Sequence, residues 1–99
     1  MKNLTVRAVA TIKEIHGLSR KVNSKGKDHA KVLIGFLKEH AREIEQLERE
    51  QDPHLVTETG DMIILCLELL LEKEASPDEV IEACYSRFRE KLEEKNATG

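Results

Sequence analysis

The ten residues from Met62 to Leu71 constrain this chain more than any other segment, because all but Glu68 are apolar. The longest uninterrupted run, Met62 to Leu67, is six residues, far short of the roughly 20 that a membrane span requires. The segment reads as the second half of a helix from about Leu55 to Glu74 that is apolar nearly all round, and such a helix must be covered on most sides. In a chain of 99 residues, three neighbouring helices scarcely supply that cover. The expected form is therefore a homo-oligomer, a homodimer or homotetramer.

The other helices follow from spacing and stop signals. Leu4, Ala8, Val9, Ile12 and Ile15 recur at helical intervals, and His16-Gly17 marks the end of that pattern. Leu18 to Lys27 is polar and non-periodic and reads as a loop. From Asp28, a plausible N-cap, the stripe Ala30, Leu33, Ile34, Leu37, Ala41, Ile44 and Leu47 predicts a second helix to about Glu50. Asp52-Pro53 breaks it, since proline lacks an amide donor and disfavours a helical residue before it. Ser76, Pro77 and Glu79 form a capping-box start for a fourth helix with the stripe Ile81, Cys84, Tyr85, Phe88 and Leu92, fraying from Glu93 to Gly99. Residues 1–99 are thus expected to form one all-α domain, a bundle-like arrangement of four helices. A charged content of 35% with only two prolines and three aromatics argues against a β-sandwich.

Charge is unevenly spread. Residues 1–38 carry nine Lys or Arg against Glu14 and Asp28, whereas residues 39–99 carry seven against seventeen acids. A basic segment beside an acidic one suits a polyanionic ligand held with a divalent cation, and it equally suits two solvated helix faces. With Phe36, Tyr85 and Phe88 the only aromatics, there is no stacking platform for single-stranded nucleic acid. The basic stretch Arg20, Lys21, Lys25 and Lys27 lacks a nucleic-acid recognition motif. Cys66 and Cys84 sit on apolar stripes and read as small core residues, which fits a reducing cytoplasm better than a secreted scaffold. No secretory signal pattern opens the sequence.

The informative feature is which acids face inward. On a helical wheel Glu58 flanks the stripe of the third helix, with Asp61 beside it at i, i+3; on the second helix His40 falls inside the stripe and Glu43 flanks it, with Glu39 one residue further round. Antiparallel packing of these helices through the Gln51 to His54 loop brings the two patches together. Carboxylates converging without a basic partner are costly unless a cation neutralises them, and oxygen ligands suit Mg²⁺ or Mn²⁺. A plainer account also exists for each part. Acids complement a helix N-terminus, and a histidine on an apolar face is often a hydrogen-bonded core residue. Glu-x-x-His, His-x-x-x-His, Gly-x-Ser-x-Gly and the phosphate-binding glycine loop are all missing from the sequence.

From about Asp28 to Lys91 the residues resemble the MazG-like all-α nucleoside triphosphate pyrophosphohydrolases, a superfamily that includes phosphoribosyl-ATP pyrophosphohydrolase and the dimeric all-α dUTPases. Glu58-Thr-Gly-Asp61, the apolar helix after it and the capped start at Ser76-Pro77-Asp-Glu-Val80 are similar to the family's ExxD motif and its surroundings. Leu37-Lys-Glu-His-Ala-Arg-Glu-Ile44 resembles the preceding ExxE helix, and Arg87-Phe88 with Lys91 the basic-Phe-x-x-basic pattern of the last helix. The departure is His40, which stands where the family has the first glutamate of ExxE; Glu39 is adjacent.

The resemblance implies a MazG-type fold in which Glu43, Glu58 and Asp61 bind Mg²⁺ and act in catalysis, with Glu39 or His40 completing the ligand set. It implies cleavage of a (deoxy)nucleoside triphosphate to monophosphate and pyrophosphate, a pool-cleaning reaction that needs charge neutralisation and a positioned water rather than a protein nucleophile. Lys25, Lys27 and Lys31 from the basic loop, and Arg87 and Lys91 from the last helix, are the expected phosphate-binding residues. The alternative expectation is a non-catalytic helical module of the same fold that binds nucleotide or another protein.

Overall fold

In the computed structural model, which describes residues 6–25 and 27–98, helices α1 (Val6–Ser19), α2 (His29–Arg49), α3 (Leu55–Glu72) and α4 (Pro77–Thr98) follow in order, and no strand occurs among the described residues. Local chemistry explains most boundaries. Asp28 is in extended geometry and its Oδ1 accepts from the amides of Ala30 and Lys31, satisfying donors that the first helical turn leaves open. At the other end Gln51 takes a left-handed conformation (φ 55°), which lets the Asp52 amide donate to Leu47 O at 2.9 Å. Glu74 (φ 56°) closes α3 in the same way, with the Ala75 amide donating to Leu70 O at 3.0 Å. Ser76 Oγ accepts from the Glu79 amide at 3.4 Å as α4 begins.

Two expectations are corrected. The stretch after His16 is not a loop: α1 runs through Gly17 and Leu18 to Ser19 and widens into a π-helical turn, Arg20–Ser24, which ends at Lys25 in left-handed geometry. Its polar composition hid inward contacts, since Ser24 is buried against His29 and His16 pairs with Glu72. Likewise the tail does not fray from Glu93. α4 continues to Thr98, supported by an Arg89 Nε to Glu93 Oε1 pair at 2.9 Å and by Thr98 Oγ1 donating to Glu94 O. Leu4, expected to open the first helix, lies outside the described residues, as do the side chains of Ala8 and Val9.

α2 and α3 form the main seam, and they are antiparallel: His40 meets Glu58 near the connecting turn, while His29 meets Glu68 further along. The fully apolar core is narrow. Leu33 is completely enclosed, Ala30 and Leu67 are buried beside it, and Pro77 is buried at the start of α4. α1 lies on α3, whereas α4 makes only a small contact with it. Consequently Val56 and Ile63 on α3, and Tyr85, Phe88 and Leu92 on α4, stay more than half exposed. Cys66, expected in the core, is exposed because it lies on the same uncovered side of α3, three residues after Ile63. Among the described residues no helix is long and apolar enough to cross a membrane.

Candidate metal centre between helices α2 and α3

The seam carries a polar cluster one helical turn into α3. His40 comes from the middle of α2 and is held there because its neighbours Leu37, Ile44 and Leu47 turn the same face toward α3. Glu58 sits in the first turn of α3, where the helix N-terminus favours a carboxylate. His40 Nδ1 lies 3.0 Å from Glu58 Oε2 and 3.7 Å from Glu43 Oε2. One ligand atom from each of His40, Glu43 and Glu58 falls within 4.8 Å of the other two.

The contact between His40 and Glu58 is close but misdirected. Both Nδ1 and Oε2 are buried, yet neither makes a hydrogen bond of acceptable geometry despite the 3.0 Å separation. Two ligand atoms adjacent on an octahedral ion, with bonds of about 2.1 Å, also stand about 3 Å apart. The spacing and the unsatisfied atoms therefore fit a shared cation, and the imidazole with two carboxylates suits Mn²⁺ as well as Mg²⁺. Electrostatics point the same way. The Glu43 carboxyl is held above the usual carboxylate range, chiefly by its hydrogen-bonding approach to Glu58, then by that neighbour's like charge and by partial desolvation, with His40 acting in the opposite direction.

Of the residues expected at the site, Glu43, Glu58 and His40 come together. Asp61 is half-buried one turn further along α3 and stays outside the three-residue set, and Glu39 is exposed. Lys25, Lys27 and Lys31 are exposed at the far end of α2. Lys31 precedes His40 by nine residues, a rise of about 13 Å along the helix axis, so within one chain the basic segment and the carboxylates are not adjacent. Arg87 and Lys91 are exposed on α4, and the Arg87 guanidinium stacks 5.7 Å from the Phe88 ring. One participant is additional: His54, preceding α3, places Nε2 3.2 Å from Glu58 Oε1. The His54-x-x-x-Glu58 spacing was the available signal.

Compared with protein-family models, curated proteins and solved structures, the chain gives no significant match.

Proposed function

We propose that the chain is a Mg²⁺- or Mn²⁺-dependent nucleoside triphosphate pyrophosphohydrolase of MazG type, acting as a homo-oligomer in the cytoplasm and clearing unwanted (deoxy)nucleotides. The observation that carries the reading is the convergence of His40, Glu43 and Glu58 around buried atoms that lack hydrogen-bond partners. Glu43, Glu58 and His40 would hold the ion, with Asp61 available one turn away to take up a water or a second ligand position. A metal held by these residues would neutralise phosphate oxygens and make a water more acidic. Hydrolysis would join the water oxygen to the α-phosphorus, break its bond to the oxygen bridging to the β-phosphate, and release monophosphate, pyrophosphate and the proton lost by the water.

The separation between the acid cluster and Lys25, Lys27 and Lys31 supports a site finished by a second copy, whose basic segment or whose Arg87 and Lys91 would reach the terminal phosphates. The uncovered faces of α3 and α4 give such a copy somewhere to dock. Free Cys66 and Cys84 accord with a reducing compartment.

A second reading rests on His54 and His40, which pair with the two oxygens of Glu58 at 3.2 and 3.0 Å. A carboxylate with an imidazole close to each oxygen supports a fold that binds nucleotide, or another protein, without turnover. The deciding experiment incubates purified protein with each common NTP and dNTP plus Mg²⁺ or Mn²⁺ and separates the products by ion exchange. Monophosphate and pyrophosphate are expected, abolished by EDTA and reduced in Glu58→Gln by at least the roughly hundredfold that loss of one electrostatic stabiliser costs. Turnover that survives Glu58→Gln refutes the site. Thermal stabilisation by nucleotide without product establishes the non-catalytic reading instead.

A further inference from the structure

Some distance from this cluster, at the opposite end of the α2–α3 seam, a second group of side chains is outside the nucleotide reading. We propose that His16, His29 and Glu72, backed by Glu68, form a separate site for a divalent transition-metal ion of the Zn²⁺ class, clipping α1 onto α2 and α3.

The three residues come from three helices. His16 lies near the end of α1, His29 opens α2, Glu72 closes α3, and one ligand atom of each lies within 4.8 Å of the others. His16 Nε2 and Glu72 Oε1 are 3.0 Å apart. Glu68 supplies an independent sign of a missing partner. Its side chain is 4% exposed, and Oε1 is buried with no hydrogen bond while pointing at His29 Nε2 from 4.0 Å, too far to bond directly. A buried carboxylate oxygen without a donor is expensive, and a cation set between Glu68 and His29 removes that cost.

His29 is prepared as a ligand. Its side chain is 1% exposed, and Nδ1 is hydrogen-bonded to the buried Ser24 Oγ. In the tautomer in which Nδ1 donates to that oxygen, Nε2 offers a lone pair on the side of Glu68; an outer partner on the second ring nitrogen is the usual support of a metal-bound histidine. The π-helical turn Arg20–Ser24 is what turns Ser24 inward, and turns of this kind recur at functional sites. A tetrahedral Zn²⁺ with bonds of about 2.0 Å places its ligand atoms about 3.3 Å apart, close to the 3.0 Å between His16 Nε2 and Glu72 Oε1, while Glu68 Oε1, 4.0 Å from His29 Nε2, stands just outside the set of three. Two neutral imidazoles, two carboxylates and a doubly charged ion sum to zero, which suits a buried position, and imidazole favours Zn²⁺ over Mg²⁺ or Ca²⁺. Two other groups touch the site: Ser19 Oγ lies 3.4 Å from His29 Nε2, and Arg20 Nε lies 3.4 Å from Glu72 Oε1. Arg20 is well exposed, so this ion pair is weak and its side chain is free to swing aside.

The test titrates Zn²⁺ into the chelator-treated full chain against a chromophoric competitor, following melting temperature in parallel. Because the His40, Glu43 and Glu58 cluster also offers an imidazole to Zn²⁺, the stoichiometry is read in a Glu58→Gln background, where one ion per chain is expected with a raised melting temperature. Binding should persist in Glu58→Gln and in the Cys66→Ser, Cys84→Ser double variant, and weaken by about tenfold or more in His16→Gln and in Glu72→Gln. Both of these side chains are only partly buried, and far-UV circular dichroism verifies that each variant folds. No Zn²⁺ binding by the wild type overturns the proposal. So does binding that is lost with Glu58 or the cysteines while folded His16→Gln and Glu72→Gln retain it.

Discussion

Phe88→Glu should break the protein into monomers, and the structure sets the scale. The chain exposes 7887 Å², whereas a compact monomer of 11.3 kDa exposes about 5,700 Å². The excess, roughly 2,200 Å², exceeds the ~800 Å² that each partner contributes to a standard interface. The radius of gyration agrees, at 15.9 Å against about 12.6 Å for a compact chain of this length. Tyr85, Phe88 and Leu92 share one uncovered face of α4, and Phe88 is 60% exposed. Covering that fraction removes about 120 Å² of ring surface from water, about 3 kcal/mol per protomer. A two-fold interface counts the residue twice, giving an upper limit of about 6 kcal/mol, or some four orders of magnitude in Kd; ordering costs leave at least a hundredfold. α4 makes little contact with the rest of its own chain, so the substitution leaves the monomer fold intact. Sedimentation velocity with circular dichroism should give an oligomer for the wild type and a helical monomer for Phe88→Glu. A wild type that sediments as a monomer well above micromolar concentration refutes the reasoning, as does an oligomer indifferent to the substitution.

Glu43 and Leu33 offer further tests. Because the folded-state pKa of Glu43 is raised, its contribution is fully present below the unfolded pKa and is lost as pH rises through the folded value. In EDTA at neutral pH, Glu43→Gln should therefore be more stable than the wild type in urea melts, with the difference vanishing in acid; a less stable variant contradicts the crowding of Glu43 by Glu58. With Mn²⁺ present the order should reverse, since a ligand has been removed. Leu33→Ala removes the one completely enclosed apolar side chain among the described residues and should cost about 2–5 kcal/mol in the same melts. Cys66→Ser, at an exposed position, should change stability by less than about 0.5 kcal/mol in a monomeric background.

What could be read in the sequence follows the range of the interactions involved. The helices were legible because apolar spacing and capping chemistry are local: Asp28, Asp52-Pro53 and Ser76-Pro77 each act within a few residues of a boundary. The meeting of His40, Glu43 and Glu58 was legible for nearly the same reason, because a short connection forces α2 and α3 antiparallel and the wheel then fixes which side chains face each other. Reasoning of this kind loses force with each added turn of axial offset. It included Asp61 with Glu58, whereas the structure leaves Asp61 outside the closest set, and it assembled Lys31 with acids three turns away.

The π-helical turn and the His16, His29, Glu68 and Glu72 group were hidden for a different reason. Ser24 falls in the stretch that reads as a polar loop and His29 directly after the Asp28 cap, and neither reveals the packing partner of His29, Glu68, which is the one polar residue in the apolar stretch that first constrained the fold. A single acid between Leu67 and Leu69 in a helix otherwise apolar nearly all round is either exposed or matched. Its burial means that His29 and Ser24 are not part of a solvated surface but the complement of one buried acid, while Arg20, Lys21, Lys25 and Lys27 around them stay exposed. The feature that demanded cover for α3 thus also specifies which part of the chain must supply it, and the remaining uncovered side of α3, carrying Val56, Ile63 and Cys66, is where intrachain cover runs out.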